Sequence, residues 1–340
     1  MVTRIIKDEI KGALLHLANI SMCNSALSRW KNSSVIFCFH RVLTKEEIRV
    51  DCNPNNEFTV STEFFDSFLE NIKKNYQLCS LDEMIDNLNH NSTKNIAHIT
   101  FDDGYRDNLK NALPILIKHN APATLYITTR FAEGHTWMWW NELWDLVSRG
   151  LPIAYHSGIT FMKLPCKSNK EKLECFKYLS REFSSMSIDT QKNSLMELSK
   201  SEQRTSYAEF CLDWSEIKSL DEHPLVTIGS HTHSHPNLCA ETDDSVLYEL
   251  NHSKNLLETK LGHKIRHLSF PFGGSGEFGS REIKFACDAG YISAVTTMCK
   301  KWSNSNLFEL PRYFVTETST PPVLKARISG LCNILGRQLL

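Results

Sequence analysis

The chain has no CxxC pair, no excess of charge of either sign and no long apolar run, and each absence removes a class of function. Its 11 cysteines are scattered and odd in number, so they cannot all pair within one chain. Cys38, Cys79, Cys211 and Cys287 sit in or beside apolar runs, where a reduced thiol packs as a small hydrophobe. A reducing compartment is the simpler expectation. With 38 basic and 39 acidic residues the net charge is -1, which provides no bulk attraction for nucleic acid or for an acidic polymer. No segment approaches the roughly 18 apolar residues of a membrane span. The start, MVTRIIKDEIKGALLHLANI, places Asp8, Glu9 and Lys11 where a signal peptide needs an unbroken apolar region. These absences argue against secretion and membrane spanning, for a cytoplasmic protein that reads its substrate through local contacts.

What is present alternates between two periods. Short β-like runs, VIFCFH (35–40), IAHITFDD (96–103), ATLYIT (123–128), LVTIGSHT (225–232), HLSFPFG (267–273), ISAVTT (292–297) and LPRYFV (310–315), are mostly rich in β-branched and aromatic residues and bounded by turn formers. Helical patterns lie between them at 61–76, 81–90, 106–120 and 243–262, the first with Ser61 as N-cap to a stripe of Phe64, Phe65, Phe68, Leu69 and Ile72. Alternation of this kind predicts a parallel sheet with helical crossovers. About seven strands fit a closed or nearly closed, distorted (β/α) barrel of the α/β class better than an open doubly wound sheet.

Three segments stand outside the alternation. Residues 1–34 form an N-terminal extension that reads as an amphipathic helix, with Ile5, Ile6, Ile10, Leu14, Leu15 and Leu17 on one face. A helical insertion at about 137–220 interrupts the barrel region, 35–316, and opens with WMWWNELWDL. Trp137, Trp139, Trp140 and Trp144 either anchor it to the barrel or offer a stacking surface for sugar rings. Residues 317–340 place Leu324, Ile328, Leu331, Ile334 and Leu335 at helical spacing beside Lys325, Arg327 and Arg337. Such a helix either packs on its own domain or makes peripheral contact with an anionic membrane face.

In a β/α barrel, functional groups project from the C-terminal ends of the strands. Four runs here end in polar chemistry: His40 with Arg41; Asp102 with Asp103; His231, Thr232, His233 and His235; and the stretch SFPFGG. Asp-Asp-Gly is also a good turn sequence, and the histidines alone could be a solvated loop. Together they make a different case. His231 and His235 are four apart, so one helical turn would put both imidazoles on one side, with His233 opposite. With one aspartate they supply three ligands and leave positions open, as a hydrolytic zinc site requires. The other aspartate is then free to take a proton.

TFDDGY, SHTHSHPNL and FPFG, in that order, resemble the motifs of the polysaccharide deacetylase family, the NodB-homology domain of carbohydrate esterase family 4. The resemblance spans roughly residues 35–315 and implies a distorted barrel that removes acetyl groups from N-acetylated sugars with a divalent metal, usually zinc. Carried over by position, it implies Asp102 as general base and Asp103, His231 and His235 as metal ligands. It also implies that the Phe272 N–H faces the developing oxyanion.

Two family features are missing. An arginine usually stands two residues before the motif proline, where this chain has Ser269, and no late LxH motif follows residue 273. His40 resembles the N-terminal histidine of the circularly permuted subgroup acting on poly-N-acetylglucosamine, and is the candidate general acid, against a strand-end histidine that only orients its neighbours. Arg312, which closes a strand, is the candidate for the arginine, with Arg41 as competitor. The expected function is hydrolytic N-deacetylation of an amino sugar in a polysaccharide or its precursor. The alternatives are deacylation or deformylation of a lipid-linked sugar at the cytoplasmic membrane face, and carbohydrate binding without turnover.

Overall fold

In a computed structural model, which describes residues 34–50, 58–90, 94–200, 206–298 and 306–328, the seven apolar runs become the strands of one ring. They are β1 (Ser34–Phe39), β2 (Ile96–Phe101), β3 (Ala123–Ile127), β4 (Val226–Ser230), β5 (His267–Ser269), β6 (Ser293–Thr296) and β7 (Leu310–Phe314). Each pairs in parallel with the next, and β1 pairs with both β2 and β7, which closes the barrel. A further short strand, Gln77–Leu78, lies against β2 outside the ring. Strands covered on both faces need no polar alternation, and all six residues of β2, IAHITF, are buried. The ring is uneven: β1 and β2 share a register from Ser34↔Ile96 to Phe39↔Phe101, whereas β5 meets β4 at the single pair Leu268↔Ser230.

The first crossover helix, Thr62–Ile72, starts where Ser61 Oγ accepts the Phe64 N–H at 3.1 Å. It presses Phe65 and Phe68 edge-on against Phe39 and Phe37, with ring centroids 5.1 and 5.0 Å apart. The pattern at 106–120 predicts one regular helix. Instead a wide π-type turn, Asn108–Ala112, runs into an α-helix at Leu113–His119. Pro114 lacks the N–H that a regular ladder would use, and the wider turn aims polar groups at the end of β1. Asn108 Nδ2 donates to the His40 carbonyl, and Asn111 Nδ2 to that of Val42, each at 2.8 Å.

The insertion is more than helical. Between Trp139–Ser148 and the helices Asn169–Ser184 and Ile188–Ser199 lies an antiparallel hairpin, Ile153–Ser157 with Thr160–Leu164. Trp137, Trp139, Leu143, Phe176, Leu179 and Phe183 build a core of its own, joined to the barrel through Tyr105 and Phe131. Its final helix, Trp214–Asp221, buries Ile217 and Leu220 in the barrel core. Of the C-terminal segment, the helix Pro321–Ile328 is described, and there Leu324 and Ile328 pack on the barrel. Residues 329–340 of that segment and 1–33 of the N-terminal extension lie outside the described residues, and among those described no helix is long and apolar enough to cross a membrane. Cys38, Cys79 and Cys211 are buried thiols, but Cys287, in the helix Ser280–Asp288, is exposed.

One buried imidazole ties the barrel to its surroundings. His98, in β2, bonds the Cys79 carbonyl at 2.8 Å and Thr124 Oγ1 at 2.9 Å, and burial lowers its pKa from 6.5 to about 4. The unfolded chain therefore binds a proton that the native chain refuses across that interval, so stability falls as pH drops through it. In urea denaturation the unsubstituted chain should lose up to roughly 3 kcal/mol more between pH 7 and pH 4 than His98→Gln does.

Candidate active site

Successive residues of an extended strand point to opposite faces, so the two aspartates that follow β2 would diverge if the strand continued. It does not. Asp102 still bonds the Phe39 carbonyl through its N–H at 3.1 Å. Asp103 then takes a left-handed φ of 73° and Gly104 one of 79°. The turn swings both carboxylates to the barrel mouth, where they are 2% and 5% exposed. Left-handed backbone costs an L-residue roughly 1–2 kcal/mol, yet Thr232, His235 and Phe272 also adopt it, at 63°, 61° and 60°. Such strain persists where surrounding contacts over-determine it, and it collects at functional sites.

The two aspartates have different company. Asp102 faces Arg312, which projects from β7 with its side chain wholly buried and forms a two-pronged pair, Nη1 to Oδ1 at 2.7 Å and Nη2 to Oδ2 at 2.6 Å. The remaining guanidinium contacts are Thr100 Oγ1 at 3.2 Å, the Thr296 carbonyl at 3.2 Å and Ser269 Oγ at 2.9 Å. Burial alone would raise the Asp102 pKa, but the charge and hydrogen bonds of Arg312, with His231 nearby, hold it well below the usual carboxylate range. Arg41 does not compete for Asp102. It pairs with Asp107 at 3.0 Å and lies between the rings of Tyr105 and Phe210.

Asp103 faces the histidines. Its Oδ1 has no hydrogen-bond partner among the described residues, and the Nε2 atoms of His231 and His235 lie 3.3 and 3.4 Å from it. All three ligand atoms fall within 4.8 Å of one another. Zinc bonds of 2.0–2.2 Å in a tetrahedral shell give ligand edges of about 3.3–3.6 Å, so the donor set and its spacing fit such an ion. The His231 ring is oriented from behind, its Nδ1 bonding the Ser269 carbonyl at 2.8 Å. This is the usual support for a ligating imidazole. Burial lowers His235 to about 4, leaving it neutral and able to ligate. For His231 burial acts the same way, but Asp102 and Asp103 outweigh it and the pKa is raised.

The two imidazoles converge, but not by a helical turn. Residues 231–237 form no helix, and the left-handed Thr232 and His235 curl the loop instead. His233 points away, bonding Thr129 Oγ1 at 2.9 Å and packing on His252. The Phe272 ring lies edge-on to His235 at 4.9 Å, and its N–H donates to no group among the described residues. His40, at the end of β1, packs against Phe58 and Phe314, and its Nδ1 is buried without a hydrogen-bond partner among the described residues. Burial lowers its pKa against the opposing pull of Asp103 and Asp102. Of the four tryptophans, Trp140 reaches the site, 5.4 Å from the His235 ring, while Trp137 bonds Gln191 and Trp139 stacks on Phe183.

Sequence reasoning missed Ser269 as a participant and missed Glu249 altogether. Ser269 stood there only as a departure from a pattern, whereas its hydroxyl accepts from Arg312 Nη2 at 2.9 Å. The one sign of Glu249 in the sequence is its place, with Lys254, among the apolar residues Val246, Leu250 and Leu257 on the buried face of the helix Asp243–Leu261.

The polysaccharide deacetylase sequence profile matches residues 89–291. Among solved structures the chain is similar to the Streptococcus pyogenes deacetylase PplD in complex with acetate, at 19% identity and TM-score 0.56 over 86% of this chain and 97% of that one. It is also similar to a de-N-acetylase from Aggregatibacter actinomycetemcomitans, at 16% identity and TM-score 0.54 over 86% and 99%. A third is IcaB from Ammonifex degensii, at 16% identity and TM-score 0.53 over 88% and 97%. At these identities the likeness is one of fold. A search of curated protein sequences finds no match. His40 and Arg312 lie outside the matched span, and the closure of β1 against β2 and β7 is what brings them to it.

Removing one partner of a buried ion pair strands the other charge. Arg312→Met should therefore destabilise the protein by about 3–5 kcal/mol in chemical denaturation. Adding Asp102→Asn to Arg312→Met should recover part of that loss, because the stranded carboxylate is then gone.

Proposed function

Because this chain belongs to the polysaccharide deacetylase family, we propose that it is a metal-dependent hydrolase that removes the N-acetyl group from an N-acetylated amino sugar in a polysaccharide or its precursor. One observation carries the reading. A carboxylate held ionised by a buried arginine stands beside a separate three-donor face that fits a divalent cation. Sugar binding alone has no use for either.

Asp103, His231 and His235 would hold the cation, most readily zinc, and when bound it would supply an activated water and polarise the acetamide carbonyl. Asp102 takes the proton of the attacking water. Its depressed pKa means that it is ionised whenever substrate arrives and gives the proton up again readily, and the two-pronged Arg312 contact fixes its direction. The Phe272 N–H supports the charge that develops on the attacked oxygen. The amine leaves only with a proton, and His40 in its protonated form delivers it from the end of β1, the strand next to that of Asp102. Acetate and a free amino sugar are the products.

Acetate release should be measured across chitooligosaccharides, poly-N-acetylglucosamine fragments and lipid-linked N-acetylated sugars, with formate release followed alongside. Asp102→Asn should keep metal content and lose turnover by at least the ~100-fold typical of a general base. His235→Ala should lose both. His40→Asn should slow sugar deacetylation far more than hydrolysis of an aryl acetate, whose leaving group needs no proton. An Asp102→Asn enzyme with undiminished metal-dependent turnover would sink the assignment.

A further inference from the structure

The loop 231–237 carries two of the three ligand side chains and has no helix or strand of its own. Two of its residues hold left-handed backbone, so it needs an outside support to keep that shape. Thr128 Oγ1 donates to the His231 carbonyl and Thr129 Oγ1 meets the His233 ring, and one buried carboxylate takes the amides between them. Glu249, 5% exposed on the inner face of the helix Asp243–Leu261, accepts the N–H of His233 and the N–H of Ser234 on Oε2, each at 2.8 Å. Its Oε1 accepts the Ser234 hydroxyl. The same helix bonds Ser253 Oγ to Ser230 Oγ at 2.7 Å, and sets His252 against the ring of His233 at 4.6 Å. The loop is thus gripped at residues 230, 233 and 234, between and beside its two ligands.

We propose that Glu249 is a positioning residue that pre-forms the ligand loop, setting His231 and His235 toward Asp103 before any ion is bound. The proposal rests on Asp103, His231 and His235 being the ligands. Three donors converge on the carboxylate, and an apolar residue there would leave two backbone N–H groups buried without acceptors. Those groups would be satisfied by rotating the loop outward, which turns both imidazoles away from Asp103. Glutamine keeps the arrangement, since its carbonyl can accept both N–H groups while its amide donates to the Ser234 oxygen.

Zinc titrated calorimetrically into the metal-stripped chain provides the test. Glu249→Leu should weaken zinc binding by about 10- to 100-fold, the range for groups that support a ligand from behind, and Glu249→Gln should restore affinity close to that of the original chain. A residue serving stability alone would lower the melting temperature of the metal-free protein and leave zinc affinity unchanged. Hydrogen exchange on the unsubstituted, metal-free chain gives a second readout that survives any folding defect in the leucine variant. The His233 and Ser234 amides should be protected there. Unaltered zinc affinity in Glu249→Leu, or fast exchange of those two amides, overturns the proposal. An unsubstituted chain that binds no zinc overturns the ligand assignment itself, and that outcome is distinct from the other two.

Discussion

An ion pair sealed inside the barrel is the constraint on which the rest depends. Arg312 is among the largest fully buried side chains of the described residues, and Asp102 is its counter-charge. Burying two charges is costly, and the cost is offset only when geometry is good and the leftover donors are satisfied. Both conditions hold: the guanidinium meets both carboxylate oxygens and hands its other donors to Thr100, Ser269 and the Thr296 carbonyl. Asp102 is consequently committed. It cannot turn toward the histidines without abandoning Arg312, so the neighbouring aspartate is left to face them.

The division of labour between adjacent aspartates follows from topology. Parallel strands all end at the same rim, so β1, β2, β4 and β5 deliver His40, the two aspartates, the histidine loop and Ser269 to one mouth, while Arg312, expected to close a strand, reaches it from the middle of β7, 272 positions after His40. Closure between β1 and β7 sets Ile36 beside Arg312, and closure between β1 and β2 sets Phe39 beside Phe101. A barrel left open at β1 would still carry the aspartates and histidines. It would lack both the arginine's register and the candidate proton donor.

Much of this was readable before any coordinates. Six of the seven strands fall within the runs marked by β-branched and aromatic residues and β1 starts one residue before its run, and Ser61 caps its helix as its position suggested. Asp102, Asp103, His231 and His235 were legible because strand-end polar residues are few and the barrel rule says where they point. Three features resisted for physical reasons. The 153–164 hairpin buries Ile153 and Tyr155 but carries the apolar Ala154 and Phe161 on its exposed side, so its sequence does not alternate as its burial does. The π-type turn at 108–112 depends on tertiary bonds from Asn108 and Asn111 to the chain after β1, which no local pattern records. The curl of 231–235 uses left-handed Thr and His, residues whose sequence gives no glycine-like sign of it. The partners of Glu249 were hidden for the same reason, since they lie in a loop that precedes it by 15 and 16 positions.

The proposed chemistry requires the two aspartates to have separate duties. Anomalous diffraction from crystals grown with zinc addresses this in one experiment. The expected result is one peak in the barrel mouth, contacted by Asp103 Oδ1 and the Nε2 atoms of His231 and His235, with Asp102 still paired to Arg312. A peak contacted by Asp102 with Arg312 displaced, or no peak between the histidines, would contradict it.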